Sequence, residues 1–250
     1  MAENTLNQKI KEKFKSYIDF ENLEKQDGIP IYLNEKYLSG DNEKYMKMYN
    51  KLSKWYDFGE KWIGWFFYGN SVAKMRTNLM EHLEWKNGAS VLYISIGTGK
   101  DLNFIPKNID LKSLDITGAD ISFGMLKKCK SVWKNRTNLS LVNCCAEDLP
   151  FKDDTFDIVF HVGGINFFSD KKLAIEEMLR VAKPGTKIMI ADETADFIEK
   201  QYKKSIFTKK YYENRSFDLS EIEKYIPENV KEKNTELVWD KKFYCITFKK

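Results

Sequence analysis

From about residue 90 onward the apolar positions come in short unbroken runs, and between the runs they recur every three or four residues. Runs at 91–96, 116–120, 139–143, 156–161 and 187–192 predict buried strands, and the spaced patterns at 123–133 and 171–182 predict helices. Lys183-Pro184-Gly185 stops the second of these helices. Strands alternating with helices predict right-handed crossovers and a parallel sheet covered on both faces. The chain ends differently, because Leu237 to Trp239 and Phe243 to Phe248 alternate across a polar Asp240-Lys241-Lys242 turn. That pattern predicts an antiparallel hairpin at one side of the sheet.

The first 70 residues follow another rhythm. Ile10, Phe14, Tyr17 and Ile18 within a charged stretch predict one amphipathic helix over residues 1–27, broken by Gly28-Ile29-Pro30-Ile31-Tyr32-Leu33. Residues 41–70 are rich in Tyr, Met and Trp, with Tyr56-Asp57-Phe58 ahead of Trp62, Trp65, Phe66 and Phe67. Most of these aromatics are expected to pack a helical layer onto the core, and the layer can also roof a pocket. Val72, Met75, Leu79 and Leu83 predict a helix over 71–86 leading into the first strand. Residues 196–225 read as helical and basic, a solvated face in the first instance and an anionic-surface or RNA contact as the minority reading. The expected division is a lid segment at 1–70 and one domain at 71–250, with its motifs at 88–194 and C-terminal helices and hairpin at 195–250.

Composition narrows the function. A 250-residue chain that is 42% apolar can bury a full α/β core, and a net charge of +4 does not by itself demand nucleic acid or membrane. Cys129, Cys144, Cys145 and Cys245 form no C-x-x-C pair, and His82 and His161 complete no metal-ligand spacing, so no metal and a reducing, cytoplasmic setting are expected. The longest aromatic run, 62–68, is too short to span a bilayer.

Candidate chemistry gathers at the strand ends. Gly97-Thr98-Gly99 follows the first strand and opens a helix, a turn that lets a ligand approach the backbone and offers free N–H groups to it. Alone it fits dinucleotide enzymes, methyltransferases and plain capping turns. Asp120 ends the second strand about twenty residues on, where a carboxylate can accept both hydroxyls of a ribose, while Ser122 can serve as the helix cap. His161 ends the fourth strand and is read first as a cofactor-lining residue, with general base as the sharper alternative. Cys144 and Cys145 read as buried small hydrophobes.

Taken together, Val91 to Leu102, Gly118 to Leu126, Ala146-Glu147-Asp148-Leu149-Pro150-Phe151 with Asp153 to Val159, and Glu176 to Asp192 with Arg180-Val181-Ala182-Lys183-Pro184-Gly185 resemble the class I S-adenosylmethionine-dependent methyltransferases. The resemblance is to the ubiquinone and menaquinone C-methyltransferase type and covers roughly residues 70–195. It implies a Rossmann-like α/β fold, a mainly parallel seven-stranded sheet with the C-terminal hairpin and an N-terminal helical lid. It implies S-adenosylmethionine as cofactor and S-adenosylhomocysteine as product. By position, Gly97, Thr98 and Gly99 would carry the methionine moiety, Asp120 and Ile121 the ribose, and Ala146 and Glu147 the adenine. Ser95, Met125, Cys145, His161 and Val162 complete the implied cofactor set, and Tyr56 is the implied lid residue.

Three positions depart from that pattern. Tyr93 stands where an acid is usual, Ser95 where a glycine is usual, and Cys144-Cys145 where Gly-Asp is usual. The loop from Phe160 to Phe168 lacks the Asn/Asp-Pro-Pro-Tyr signature of base and glutamine methyltransferases, so the expected acceptor is an apolar or aromatic small molecule rather than nucleic acid. The expected reaction is in-line methyl transfer with water excluded. The rivals are a nucleotide-dependent oxidoreductase, a non-catalytic cofactor-binding or partner-regulating module, and a lipid or tRNA methyltransferase suggested by the basic aromatic helix, which also leaves peripheral membrane contact open.

Overall fold

The computed structural model describes residues 2–53, 70–201 and 218–250. The strands are β1 (Lys25–Gln26), β2 (Ile29–Tyr32), β3 (Ser90–Ile94), β4 (Asp115–Asp120), β5 (Leu139–Cys144), β6 (Ile158–Val162), β7 (Lys187–Glu193), β8 (Lys231–Val238) and β9 (Phe243–Lys249). The α-helices among the described residues are α1 (Ala2–Lys13), α2 (Gly40–Leu52), α3 (Ser71–Glu81), α4 (Phe123–Trp133), α5 (Lys171–Val181), α6 (Ala195–Gln201) and α7 (Leu219–Tyr225).

The nine strands among the described residues join one sheet in the order β1-β2-β5-β4-β3-β6-β7-β9-β8. From β5 to β7 the pairing is parallel, and β9 and β8 close the other side antiparallel. The order runs outward from β3 one way through β4 and β5, and the other way through β6 and β7. The crevice at the carboxyl ends of β3 and β6 is therefore the switch point where such sheets take ligands.

Successive residues of each strand feed opposite faces. Leu92, Ile94, Val159, Ile188 and Ile190 pack with α1, α5 and α7 through Ile10, Phe14, Ile175, Met178 and Ile222. Val91, Tyr93, Ile158, Phe160 and Met189 pack with α3 and α4 through Met75, Leu79, Leu126 and Trp133. Every residue of β6 is buried, which explains why all but His161 are apolar.

The seven strands expected from the sequence are present at 90–249, and the N-terminal segment extends the sheet to nine. Ile31 and Tyr32 pair in parallel with Asn143 and Cys144, while Pro30 faces Lys25 of β1. A proline is tolerated here because the strand sits near the sheet edge. The expected helix over 1–27 ends at Lys13, where Phe14 bridges to Phe151 and Lys13 reaches Asp115 at 2.9 Å and the Thr117 hydroxyl at 2.9 Å. The helix that the glycine turn opens is a five-residue 3₁₀ helix, Lys100–Phe104, which ends there because Pro106 holds Ile105 in extended backbone. The helix expected over 71–86 stops at Glu81. The basic stretch with Lys203, Lys204, Lys209 and Lys210 and the aromatics Tyr56, Trp62 and Trp65 lie outside the described residues.

Candidate active site

The turn after β3 is held by its own backbone and by the neighbouring strand. Ile96 N–H donates to the Ala119 carbonyl at 3.1 Å, and Gly99 N–H to the Ile96 carbonyl at 2.8 Å. Gly99 has φ +75°, and a Cβ there would lie 2.5 Å from Trp133 Nε1, whose N–H donates to the Thr98 carbonyl at 3.1 Å. Only glycine satisfies both demands. Ser95, at φ +54°, takes the left-handed conformation with a side chain attached.

Asp120 is buried at the end of β4. Its Oδ2 accepts the Gly97 N–H at 2.8 Å and its Oδ1 the Ser122 N–H at 2.8 Å. Burial pushes the carboxyl up to about 6 against the pull of those two bonds. Ser122 caps α4 by accepting the Met125 N–H, so the cap does not need Asp120. Each carboxylate oxygen keeps a second acceptor position. A narrow cleft opens beside it, lined by Asn42, Ile94, Ser95, Ile121, Ala146 and Phe168, together with Ala119, Cys144 and Glu147. Apolar side chains from Ile94, Ile121, Ala146 and Phe168 beside the Asp120 carboxylate, with Asn42, Ser95 and Glu147 as further polar groups, suit a nucleoside that carries ribose hydroxyls and a flat base.

Beneath the turn, Tyr93 does not leave the acid's usual position without charge. Its hydroxyl donates to Asp101, whose other oxygen takes Arg76 at 2.5 Å, and Asp101 is buried. The carboxylate has moved from the strand to the first turn of the following 3₁₀ helix. Burial pushes the tyrosine hydroxyl well above its usual range, with Asp101 adding to the effect, so Tyr93 stays a donor.

The loop after β6 is pinned in a matching way. Asp192, at the end of β7, accepts N–H bonds from Gly164 at 3.1 Å and Asn166 at 3.0 Å through Oδ2, and from Glu193 at 2.8 Å through Oδ1. His161 is fully buried in register between Ile94 and Ile190, edge-on to Phe168, and neither ring nitrogen has a hydrogen-bond partner. A Cβ on Gly164 would lie 3.7 Å from His161 Nε2 and 3.9 Å from Ser95 Oγ, so these side chains flank one small space. Burial pushes the imidazole down to about 3, which keeps it neutral.

Helix α2 crosses the mouth of the cleft and is tied at both ends. Near its start, Asn42 N–H donates to Ser169 Oγ at 3.1 Å, Asn42 Oδ1 accepts the Ser169 N–H at 3.1 Å, and Asn42 Nδ2 donates to Glu147 Oε1 at 2.9 Å. Near its end, Asn50 Oδ1 accepts the Ser122 hydroxyl at 2.8 Å and the Gly124 N–H at 2.9 Å. Glu147 also accepts the Asp170 N–H at 3.2 Å, and burial pushes its carboxyl up despite these bonds.

Of the residues the sequence singles out, Ser95, Asp120, Ile121, Ala146 and Glu147 border the cleft. Gly97 reaches the site through its N–H on Asp120, and Thr98 and Gly99 lie along the same turn. Met125, Cys145, His161 and Val162 are buried and are not among the cleft-lining residues, and Cys144 lines it instead of Cys145. Burial pushes the Cys145 thiol up to about 12 and that of Cys144 well above its usual range, so both stay protonated. Tyr56 lies outside the described residues. Asn42 carried no local signal, whereas Phe168 closes the loop from Phe160 that follows the fourth strand and is expected beside the transferred methyl group; strand alternation across Cys144-Cys145 was the one available clue to which thiol faces the cleft.

No helix among the described residues is long and apolar enough to cross a membrane. The chain is similar to the ubiquinone/menaquinone biosynthesis C-methyltransferase of Geobacter sulfurreducens, 30% identical over 160 residues that cover 62% of this chain and 60% of that one. Across three such relatives the match spans 58% to 65% of their own length. Its fold is similar to that of Haemonchus contortus phosphoethanolamine N-methyltransferase 2 in complex with S-adenosyl-L-methionine, with a TM-score of 0.57, 17% identity and coverage of 71% of this chain and 52% of that one. The [4+2]-cyclase SpnF shares the fold at a TM-score of 0.53, 14% identity and coverage of 71% and 80%, so architecture alone does not name the reaction. The sequence model described as the ubiE/COQ5 methyltransferase family matches residues 38–214, most of the length, and the chain belongs to that family.

Proposed function

We propose that this chain is an S-adenosylmethionine-dependent methyltransferase that alkylates an apolar or aromatic small molecule, of the quinone kind named for its Geobacter relative. The observation that carries the reading is the Asp120 carboxylate fixed over the Gly97 turn with two acceptor positions free. When bound, the cofactor supplies an electrophilic methyl group on a sulfonium. Asp120 and Ile121 hold its ribose, the backbone from Gly97 to Gly99 receives the methionyl part, and Ile121, Ala146 and Phe168 wall the purine. Met125, Cys145 and Val162 support these walls from behind, and α2 serves as the described part of a lid for which the family resemblance implies Tyr56 as a cofactor-contacting residue.

His161 is given a lining role. An imidazole whose conjugate acid dissociates near 3 is a weak base at neutral pH, and transfer from a sulfonium needs alignment more than proton abstraction. The four buried, free cysteines suit a reducing compartment, and we place the reaction in the cytoplasm.

Calorimetry with S-adenosylhomocysteine, NAD as the control, tests the cofactor. Binding of the former alone is expected; equal affinity for NAD, or no heat at millimolar ligand, overturns the reading. Incubation with S-adenosylmethionine and a short-chain hydroquinone, followed by mass spectrometry, tests transfer. Cys145 in place of the usual carboxylate favours one second reading, a binding module, which binding without turnover of any apolar acceptor would establish.

A further inference from the structure

Away from the cleft, three metal-ligating side chains from three different elements converge. Glu236 of β8 and Cys245 of β9 are direct partners on the antiparallel ladder, so their side chains leave the same face. His82 caps the C-terminus of α3, which packs on that face. One donor atom from each of the three lies within 4.8 Å of the other two.

The contacts within this group are unlike those of an ordinary surface ion pair. His82 Nε2 and Glu236 Oε1 approach to 2.6 Å, yet the angles give neither atom an aligned hydrogen bond. Both atoms are out of reach of solvent, although their side chains are 25% and 39% exposed. Two desolvated lone-pair atoms pointing past each other beside a buried sulfur lack a partner that would satisfy them all, and a shared cation is such a partner.

We propose that His82, Glu236 and Cys245 form a binding site for a divalent cation of the zinc class. Imidazole nitrogen, carboxylate oxygen and thiolate sulfur make a borderline-soft donor set suited to Zn²⁺ and Co²⁺ and poorly suited to Mg²⁺ or Ca²⁺. Three protein ligands leave a fourth tetrahedral position for water. On binding, the Cys245 thiol releases its proton to solvent as the sulfur–metal bond forms, leaving two ligand charges of −1 against +2. The sequence reading excluded metal because no spacing links residues 82, 236 and 245; only the hairpin register and the packing of α3 bring them together.

The test uses the full chain without a polyhistidine tag, stripped with chelator and titrated with Co²⁺. One equivalent should produce a thiolate-to-cobalt charge-transfer band, with visible bands of tetrahedral coordination, and Zn²⁺ should displace both. Cys245→Ala should abolish the charge-transfer band, and His82→Gln should weaken Co²⁺ binding at least about tenfold. Cys145→Ala should leave the spectrum unchanged. Absence of a charge-transfer band in the parent chain, its persistence in Cys245→Ala, or unaltered affinity in His82→Gln overturns the proposal. Should Cys245→Ala fail to fold, the His82→Gln titration decides alone.

Discussion

Asp120 Oδ2 and the Gly97 N–H meet at 2.8 Å, which ties the acid of β4 to the turn of β3 and makes one unit of two strand ends. The same carboxylate titrates near 6, because burial outweighs its two N–H bonds. Ribose hydroxyls donate to an ionised acceptor, so binding favours the ionised form and pulls its pKa down. Affinity for S-adenosylhomocysteine should therefore be flat above pH 7 and fall by about tenfold per unit below pH 6. Calorimetry between pH 5 and 8 reads this step. In Asp120→Asn the step should disappear and affinity at pH 7.5 should drop by about 1–3 kcal/mol. A step that survives in the variant assigns it to another group, Glu147 first.

Ser95 occupies φ +54°, at the position where the family resemblance implies glycine. A side chain in the left-handed region costs about 1–2 kcal/mol, partly offset by the greater unfolded-state freedom of glycine. Ser95→Gly should stabilise the chain by about 0.5–1 kcal/mol, a rise in Tm of about 1–4 °C for a domain of this size. Thermal unfolding by circular dichroism checks it. An unchanged or lower Tm would mean that the Ser95 hydroxyl contributes more than the strain costs.

Gly99→Ala should act in the opposite direction. The new methyl would meet Trp133 Nε1 at 2.5 Å and threaten the 3.1 Å bond that this indole donates to Thr98, while φ +75° strains any side chain. Overpacking and backbone strain together should destabilise by about 2–4 kcal/mol. Urea unfolding of the parent and the variant gives the difference, and a loss below 1 kcal/mol would show that Trp133 can move aside.

Asp120 and Ser95 also mark how far the sequence could be read. The central strands were legible because they are buried on both faces and are mostly apolar, as β6 is apart from His161. Asp120 was legible because its spacing from the turn is set by one crossover. Residues joined only by tertiary contact were not: Asn42 meets Glu147 across 105 positions, and nothing near Asn42 announces it. Proline at position 30 read as a breaker, and only the edge location of β2 makes it a strand residue. Asp101 was hidden in the same way. Its role as the carboxylate missing from Tyr93 depends on the 3₁₀ helix that folds it back under the strand.

Helix α2 is fastened over the cleft by polar contacts at its two ends, through Asn42 and Asn50, and by a small apolar cluster between them in which Tyr45 and Met48 meet Phe167 and Ile198. A strap held this way can release an end without unfolding the sheet beneath it. Asn50 is the better end to cut: it does not line the cleft, and Ser122 still caps α4 through Met125 when its bond to Asn50 is lost. Asn50→Ala should cost about 1–2 kcal/mol of stability for two lost bonds. Stopped-flow mixing should show S-adenosylhomocysteine entering and leaving several-fold faster than in the parent, with Kd moved far less than either rate, because the contact resists opening in both directions. If α2 were fixed packing, stability would fall and both rates would stay where they were, and the cleft would have to fill by another route.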